Sequence, residues 1–130
     1  MKDEERKEIV TYRISKAKET LQEVDLHINN KLWNTAVNRL YYACYYAVIA
    51  LLIKNKINAQ THGGVRQMFG LHFVKNGLIS KESGKFYSDI FDKRQTGDYE
   101  DFIDYSEEEV ISLIEPAKQL ISEINKLIRE

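Results

Sequence analysis

Apolar positions recur at helical spacing along almost the whole chain. Val10, Ile14, Ala17, Leu21, Val24 and Ile28 lie 4, 3, 4, 3 and 4 positions apart, which puts them on one stripe of a helix. The pattern predicts a first helix of roughly 25 residues that ends at Asn29-Asn30. The next segment carries Trp33, Ala36, Val37, Leu40, Cys44, Ala47, Val48, Leu51 and Leu52, again at helical spacing. It is apolar nearly all round, so it is predicted to be the central, most buried helix. Ala36, Ala43, Ala47 and Ala50 on it are small enough for close helix–helix approach.

Polar residues, then Thr61, His62 and Gly63-Gly64, make residues 54–64 a predicted connection. A short helix is expected from about Val65 to Lys75, with Gly77 just past its end. Ser80 is a good N-cap for a fourth helix with Phe86, Ile90 and Phe91 inward. That helix is expected to stop near Arg94, because Gln95-Thr96-Gly97 follows, and residues 95–105, which lack a period, are predicted to be a loop. Ser106 and Glu109 have capping-box spacing, and glutamates fill the turn between them. The last helix then runs on Val110, Leu113, Ala117, Leu120, Ile121, Ile124 and Leu127, with Pro116 predicted to kink or split it near Glu115. The fold class is therefore all-α, an up-and-down bundle of four to five helices forming one domain over residues 1–130.

Composition narrows the possible chemistry. One cysteine, Cys44, excludes an intrachain disulfide and a multi-cysteine zinc site. The charged opening residues point away from a secretory signal, and the apolar-rich run from Leu40 to Ile53 is shorter than a bilayer span. A soluble cytoplasmic domain is the expectation. With 19 Lys+Arg against 20 Asp+Glu, the net charge of −1 excludes strong, purely electrostatic nucleic-acid binding. The charge is unevenly placed: residues 54–94 hold eight basic and three acidic side chains, and residues 98–115 hold eight acidic and no basic ones. Two solvated faces that pair with each other explain this, as does a narrow basic face that meets RNA or an acidic partner.

Among the histidines, His27, His62 and His72, none falls in a zinc-binding pattern, and no phosphate-loop or nucleophile-elbow motif occurs. No cofactor and no metal are expected. Cys44 reads as a small core residue. Arg39 precedes an apolar run and would need a partner if buried. Tyr41, Tyr42, Tyr45 and Tyr46 share the central helix, where packing with hydroxyls at the rim is the ordinary role. Arg94-Gln-Thr-Gly-Asp-Tyr99 gathers a guanidinium, a carboxylate and a phenol. Either Arg94 and Asp98 tie the loop together, or the arginine meets a phosphate.

Four pieces in register resemble the HEPN domain. Residues 39–52, Arg-Leu-Tyr-Tyr-Ala-Cys-Tyr-Tyr-Ala-Val-Ile-Ala-Leu-Leu, resemble its R-x-Y-Y-A signature helix. Trp33-Asn-Thr-Ala36 resembles the segment just upstream. Thr61-His-Gly-Gly-Val-Arg66 with Phe73-Val-Lys-Asn-Gly77 resembles its T-H-x-G-V … F-V-K-x-G stretch, and Arg94–Tyr99 its R-x-x-x-D-Y element. The chain looks most like the small stand-alone prokaryotic branch that is often encoded beside a minimal nucleotidyltransferase. The resemblance implies a helical bundle that dimerises and has a link to RNA.

Catalytic members of that family are metal-independent ribonucleases with an R-x(4–6)-H motif. Here Arg94 leads to Tyr99, Glu100 and Asp101 with no histidine, and a phenol of reference pKa about 10 is a poor base at neutral pH. Arg66 and His72 fit the spacing but lie in another element, about 120° apart if helical. The leading expectation is a homodimeric, toxin–antitoxin-like module without strong catalysis. It binds RNA or a nucleotide, or a nucleotidyltransferase partner, with Arg94, Asp98 and Tyr99 lining the site and Arg39 and His62 supporting it. The alternatives are a ribonuclease toxin using Arg94 with an unorthodox base (Tyr99 among the candidates), or Arg66 with His72, and a purely structural interaction bundle.

Overall fold

Every helical stripe read from the sequence is buried against the second helix, and this sets the architecture. The computed structural model describes residues 2–100 and 103–130. It contains α1 (Asp3–Asn29), α2 (Trp33–Lys54), α3 (His62–Phe69), a π-helical turn (Gly70–Val74), α4 (Lys81–Tyr99) and α5 (Glu107–Arg129). No strand occurs among the described residues, and the fold is an all-α bundle. α1 packs along α2, and α5, α4 and α3 cover its remaining faces. Ala36, Ala43, Ala47 and Ala50 are all fully buried, so small side chains let the neighbouring helices approach the α2 backbone. α2 is long and apolar enough to cross a membrane, but here it forms the centre of one hydrophobic core.

Helix ends follow local chemistry. Thr61, Ser80 and Ser106 cap α3, α4 and α5 through side-chain oxygens that accept from Gly64, Ser83 and Glu109 amides, and Ser106 with Glu109 completes the capping box. Three ends share a Schellman pattern. Leu32 N–H donates to His27 O, Ile57 to Leu52 O and Leu78 to Phe73 O. The left-handed residue each requires is Lys31 (φ 58°), Lys56 (φ 60°) and Gly77 (φ 78°).

Four expectations are corrected. α3 starts at His62, not Val65, because Thr61 supplies a cap and the two glycines lie inside the first turns. The expected helix to Lys75 changes at Gly70 into the π-helical turn. α5 is not split at Pro116; its buried stripe from Val110 to Ile124 holds one helix across the lost amide hydrogen bond. Most consequential, α4 does not stop near Arg94 but continues to Tyr99. Gly97 there is a helical residue, and a Cβ on it would come within 2.9 Å of the Tyr105 ring. The glycine serves close packing rather than a turn. Of the loop expected over 95–105, residues 95–99 are helix, and Asp101 and Phe102 lie outside the described residues.

Candidate functional site

The extra turn of α4 puts Arg94 and Asp98 on one face of the helix, four residues apart, instead of across a loop. Arg94 is 6% exposed, a buried charge in a bundle whose other buried positions are almost all apolar. Its guanidinium lies over the Tyr41 ring at 4.9 Å, over Tyr42 at 5.7 Å and beneath Tyr99 at 5.9 Å. Cation–π contact of this kind partly offsets desolvation, but it leaves the N–H donors unfilled. Arg94 Nη1 approaches Asp98 Oδ2 only to 3.7 Å, beyond hydrogen-bond range. Arg94 Nε has no hydrogen-bond partner among the described residues. Asp98 is itself engaged, because its Oδ2 accepts from Asn38 Nδ2 at 2.9 Å. A buried guanidinium with an unpartnered Nε and only a loose ion pair carries a desolvation cost that a bound anion would relieve.

Beside it, Tyr41 is fully buried and its hydroxyl is 2.7 Å from His62 Nδ1. The His62 ring stacks on Tyr45 with centroids 4.3 Å apart and meets the edge of Tyr42 at 5.8 Å. Burial pushes the Tyr41 phenol up to about 12, so it stays protonated. Burial first, and then the Arg94 charge, lowers His62 from its ordinary 6.5, so the imidazole is neutral at neutral pH. Arg39 stands at the rim, donating from Nε and Nη2 to Asn38 Oδ1 and lying over Tyr42 at 5.1 Å.

The five residues named from the sequence thus gather in one place: Arg94 and His62 on two sides of Tyr41, Asp98 and Arg39 joined through Asn38, and Tyr99, 76% exposed, as the outer cover. The expected break at Gln95-Thr96-Gly97 is absent, because all three residues are helical. Arg66 and His72 are not brought together as a pair. Arg66 pairs with Asp92 at 3.3 Å and covers the Phe91 ring, while His72 is exposed in the π-helical turn. Sequence reasoning missed Asn38, and also Asn34, whose amide accepts from Tyr105 N and donates to Ile103 O, fastening the chain beyond α4 to α2. A signal was present: Asn34, Asn38, Tyr41 and Tyr45 form a polar stripe at helical spacing along an otherwise apolar helix. No group of three metal-ligating side chains occurs among the described residues.

Comparison with known proteins is consistent with the all-α bundle. The HEPN domain matches residues 10–127. A Thermotoga maritima protein named "UPF0332 protein" is 39% identical over 97% of this chain and 96% of its own length. Two Methanocaldococcus jannaschii proteins named "Putative toxin" are 35% and 30% identical over 88% of this chain, and over 84% and 78% of their own lengths.

Proposed function

Because this chain belongs to the HEPN domain family, we propose that it is a cytoplasmic, toxin-like module that works as a homodimer. It binds RNA or a nucleotide through a phosphate at Arg94, and a minimal nucleotidyltransferase is its protein partner. The observation that carries the ligand is the buried Arg94 guanidinium, whose Nε has no hydrogen-bond partner among the described residues. A phosphate accepts from such a fork in two places at once. Tyr99, at the exposed end of α4, swings aside to admit it and offers its ring face to the attached base. The names of the two Methanocaldococcus relatives support the toxin-like role, and the family resemblance supports the dimer and the partner.

A second reading, the structural bundle, takes Arg94–Asp98 as a tie, and the Asn38–Asp98 hydrogen bond favours it. Fluorescence anisotropy with a labelled single-stranded RNA and with a nucleotide separates the two. The proposal expects saturable binding that weakens in Arg94→Ala by about 1.5–3 kcal/mol, the scale of a hydrogen bond to a charged group. Arg94→Lys recovers it only in part. Undiminished binding in Arg94→Ala contradicts the proposal. Sedimentation at tens of micromolar tests the dimer: it requires a species of twice 15.2 kDa. Co-purification with a co-expressed nucleotidyltransferase from the adjacent gene tests the partner.

A further inference from the structure

We propose that a second ligand site lies between α1 and the segment that follows α2, and that it binds a small aliphatic carboxylate on Arg13. The proposal stands apart from Arg94 and its phosphate. A cavity of about 240 Å³ opens there, with Ile49, Leu52, Ile53, Ile57 and Val65 in its walls and Arg13 as its one charged lining residue. Arg13 Nε is buried and has no hydrogen-bond partner among the described residues. No carboxylate among them lies within ion-pair distance of this guanidinium. An arginine does not lose its proton in a protein, so it cannot relieve its burial by becoming neutral. The missing counter-charge has to come from a ligand.

The cavity is shaped by the fold itself. Past the end of α2, Lys56 in the left-handed conformation (φ 60°) turns the chain, and Ile57 N–H donates to Leu52 O. Four residues later Thr61 fixes the segment again by capping α3. The span between is short, and Ile57 and Ala59 within it pack against the core. Leu52 and Val65, both buried, form the floor, and the exposed Asn58 marks the mouth. A concave, mostly aliphatic site with one or two polar groups is the ordinary form of a small-molecule site.

Size and charge select the ligand. Liquid water takes about 30 Å³ per molecule, so the cavity holds a compact body of about eight non-hydrogen atoms. The aliphatic walls favour a hydrocarbon body. A carboxylate meets a guanidinium through two parallel hydrogen bonds, and its single charge balances a single arginine. A phosphate dianion would leave charge uncompensated among aliphatic side chains. A medium-chain monocarboxylic acid answers both requirements, with its head on Arg13 and its tail on the Leu52–Val65 floor.

The test titrates full-length protein with hexanoate by calorimetry, and with hexanol, acetate and inorganic phosphate for comparison. Expected is saturable binding of hexanoate with a Kd of about 1 mM or below. Hexanol lacks the charge and acetate the tail, so each should bind at least about tenfold more weakly, and so should phosphate. Arg13→Ala should lose about tenfold or more in affinity and melt at or above the parent temperature, and Arg13→Lys should recover affinity only in part. Ala59→Leu keeps Arg13 but narrows the cavity, and should block binding while the protein stays helical by circular dichroism. By NMR, hexanoate should move the methyl signals of Ile49, Ile57 and Val65. No binding of hexanoate, equal binding of hexanol or phosphate, or undiminished binding by both Arg13→Ala and Ala59→Leu would each overturn the proposal. So would signals that move at Asn38 and Asp98 instead, which would place the acid on Arg94.

Discussion

The two ends of α4 each carry a charge held away from bulk water, and they are built in opposite ways. At the N-terminal end, the Glu123 carboxylate of α5 accepts from Ser80 N at 2.8 Å, from Ser80 Oγ at 3.0 Å, from Ser83 Oγ, and from Gln119 Nε2 at 3.3 Å. Burial alone would raise its pKa, but these donors outweigh burial and hold it below the ordinary 4.5. At the C-terminal end, Arg94 is more deeply buried and, among the described residues, has one loose ion pair and an unpartnered Nε. A saturated charge is a clamp: it joins two helices and has nothing left to offer. An unsaturated one is a cost the fold carries, relieved only when something binds.

Removing the clamp should have the largest effect on stability. Glu123→Ala leaves the Ser80 amide and the Ser83 hydroxyl without their acceptor, and should cost about 1–3 kcal/mol in denaturant unfolding with RNA binding per folded molecule unchanged. Smaller is the effect of Gly97→Ala. The new methyl meets the Tyr105 ring at 2.9 Å, and overpacking of about 1–3 kcal/mol is offset in part by the better helix propensity of alanine. Unlike the Glu123 change, this one should disturb the ligand site, because Tyr105 anchors to Lys93 O, one residue from Arg94. It would be read as weaker binding together with a lower melting temperature.

Acid should sharpen the contrast. A carboxylate whose folded pKa is depressed contributes stability that is present above its unfolded value and lost as pH falls through the folded one. Parent protein should therefore lose stability below about pH 4.5, and Glu123→Gln should flatten that part of the profile. His62, also depressed in the folded state, contributes stability present in full above 6.5 and lost as pH falls through its lower folded pKa. His62→Asn should remove that higher-pH component alone. The smallest expected effect involves neither charge: Lys31→Gly and Lys56→Gly relieve left-handed backbone at two helix ends and should each stabilise by up to about 1 kcal/mol.

The clamp and the ligand site were unequally legible in the sequence. The helices, caps and inward stripes could be read because each follows from local spacing: Ser80, Ser106 with Glu109, and the row from Val110 to Ile124 behave as their pattern dictates. The residues of the ligand site were legible as chemistry but not as geometry. Gly97 carried the signal of a turn, and only the approach of Tyr105, eight positions later, explains why a helix needs a glycine there. Pro116 misled in the same way, since long-range burial along α2 outweighed a local break. That His62 would meet Tyr41, and Tyr41 meet Arg94, depends on how three helices cross, which no spacing along one of them records. Asn38 could have been read from the polar stripe on α2, but its partner Asp98 lies 60 residues away.

The central claim is that Arg94 serves a ligand rather than the fold, and one pair of readouts on Arg94→Ala tests it most directly: melting temperature without ligand, and RNA binding per folded molecule. The account predicts a melting temperature equal to or above that of the parent, because an under-partnered buried charge has been removed, together with binding weakened by about tenfold or more. A clear fall in melting temperature with binding per folded molecule unchanged would contradict it, and would make Arg94 a clamp like Glu123.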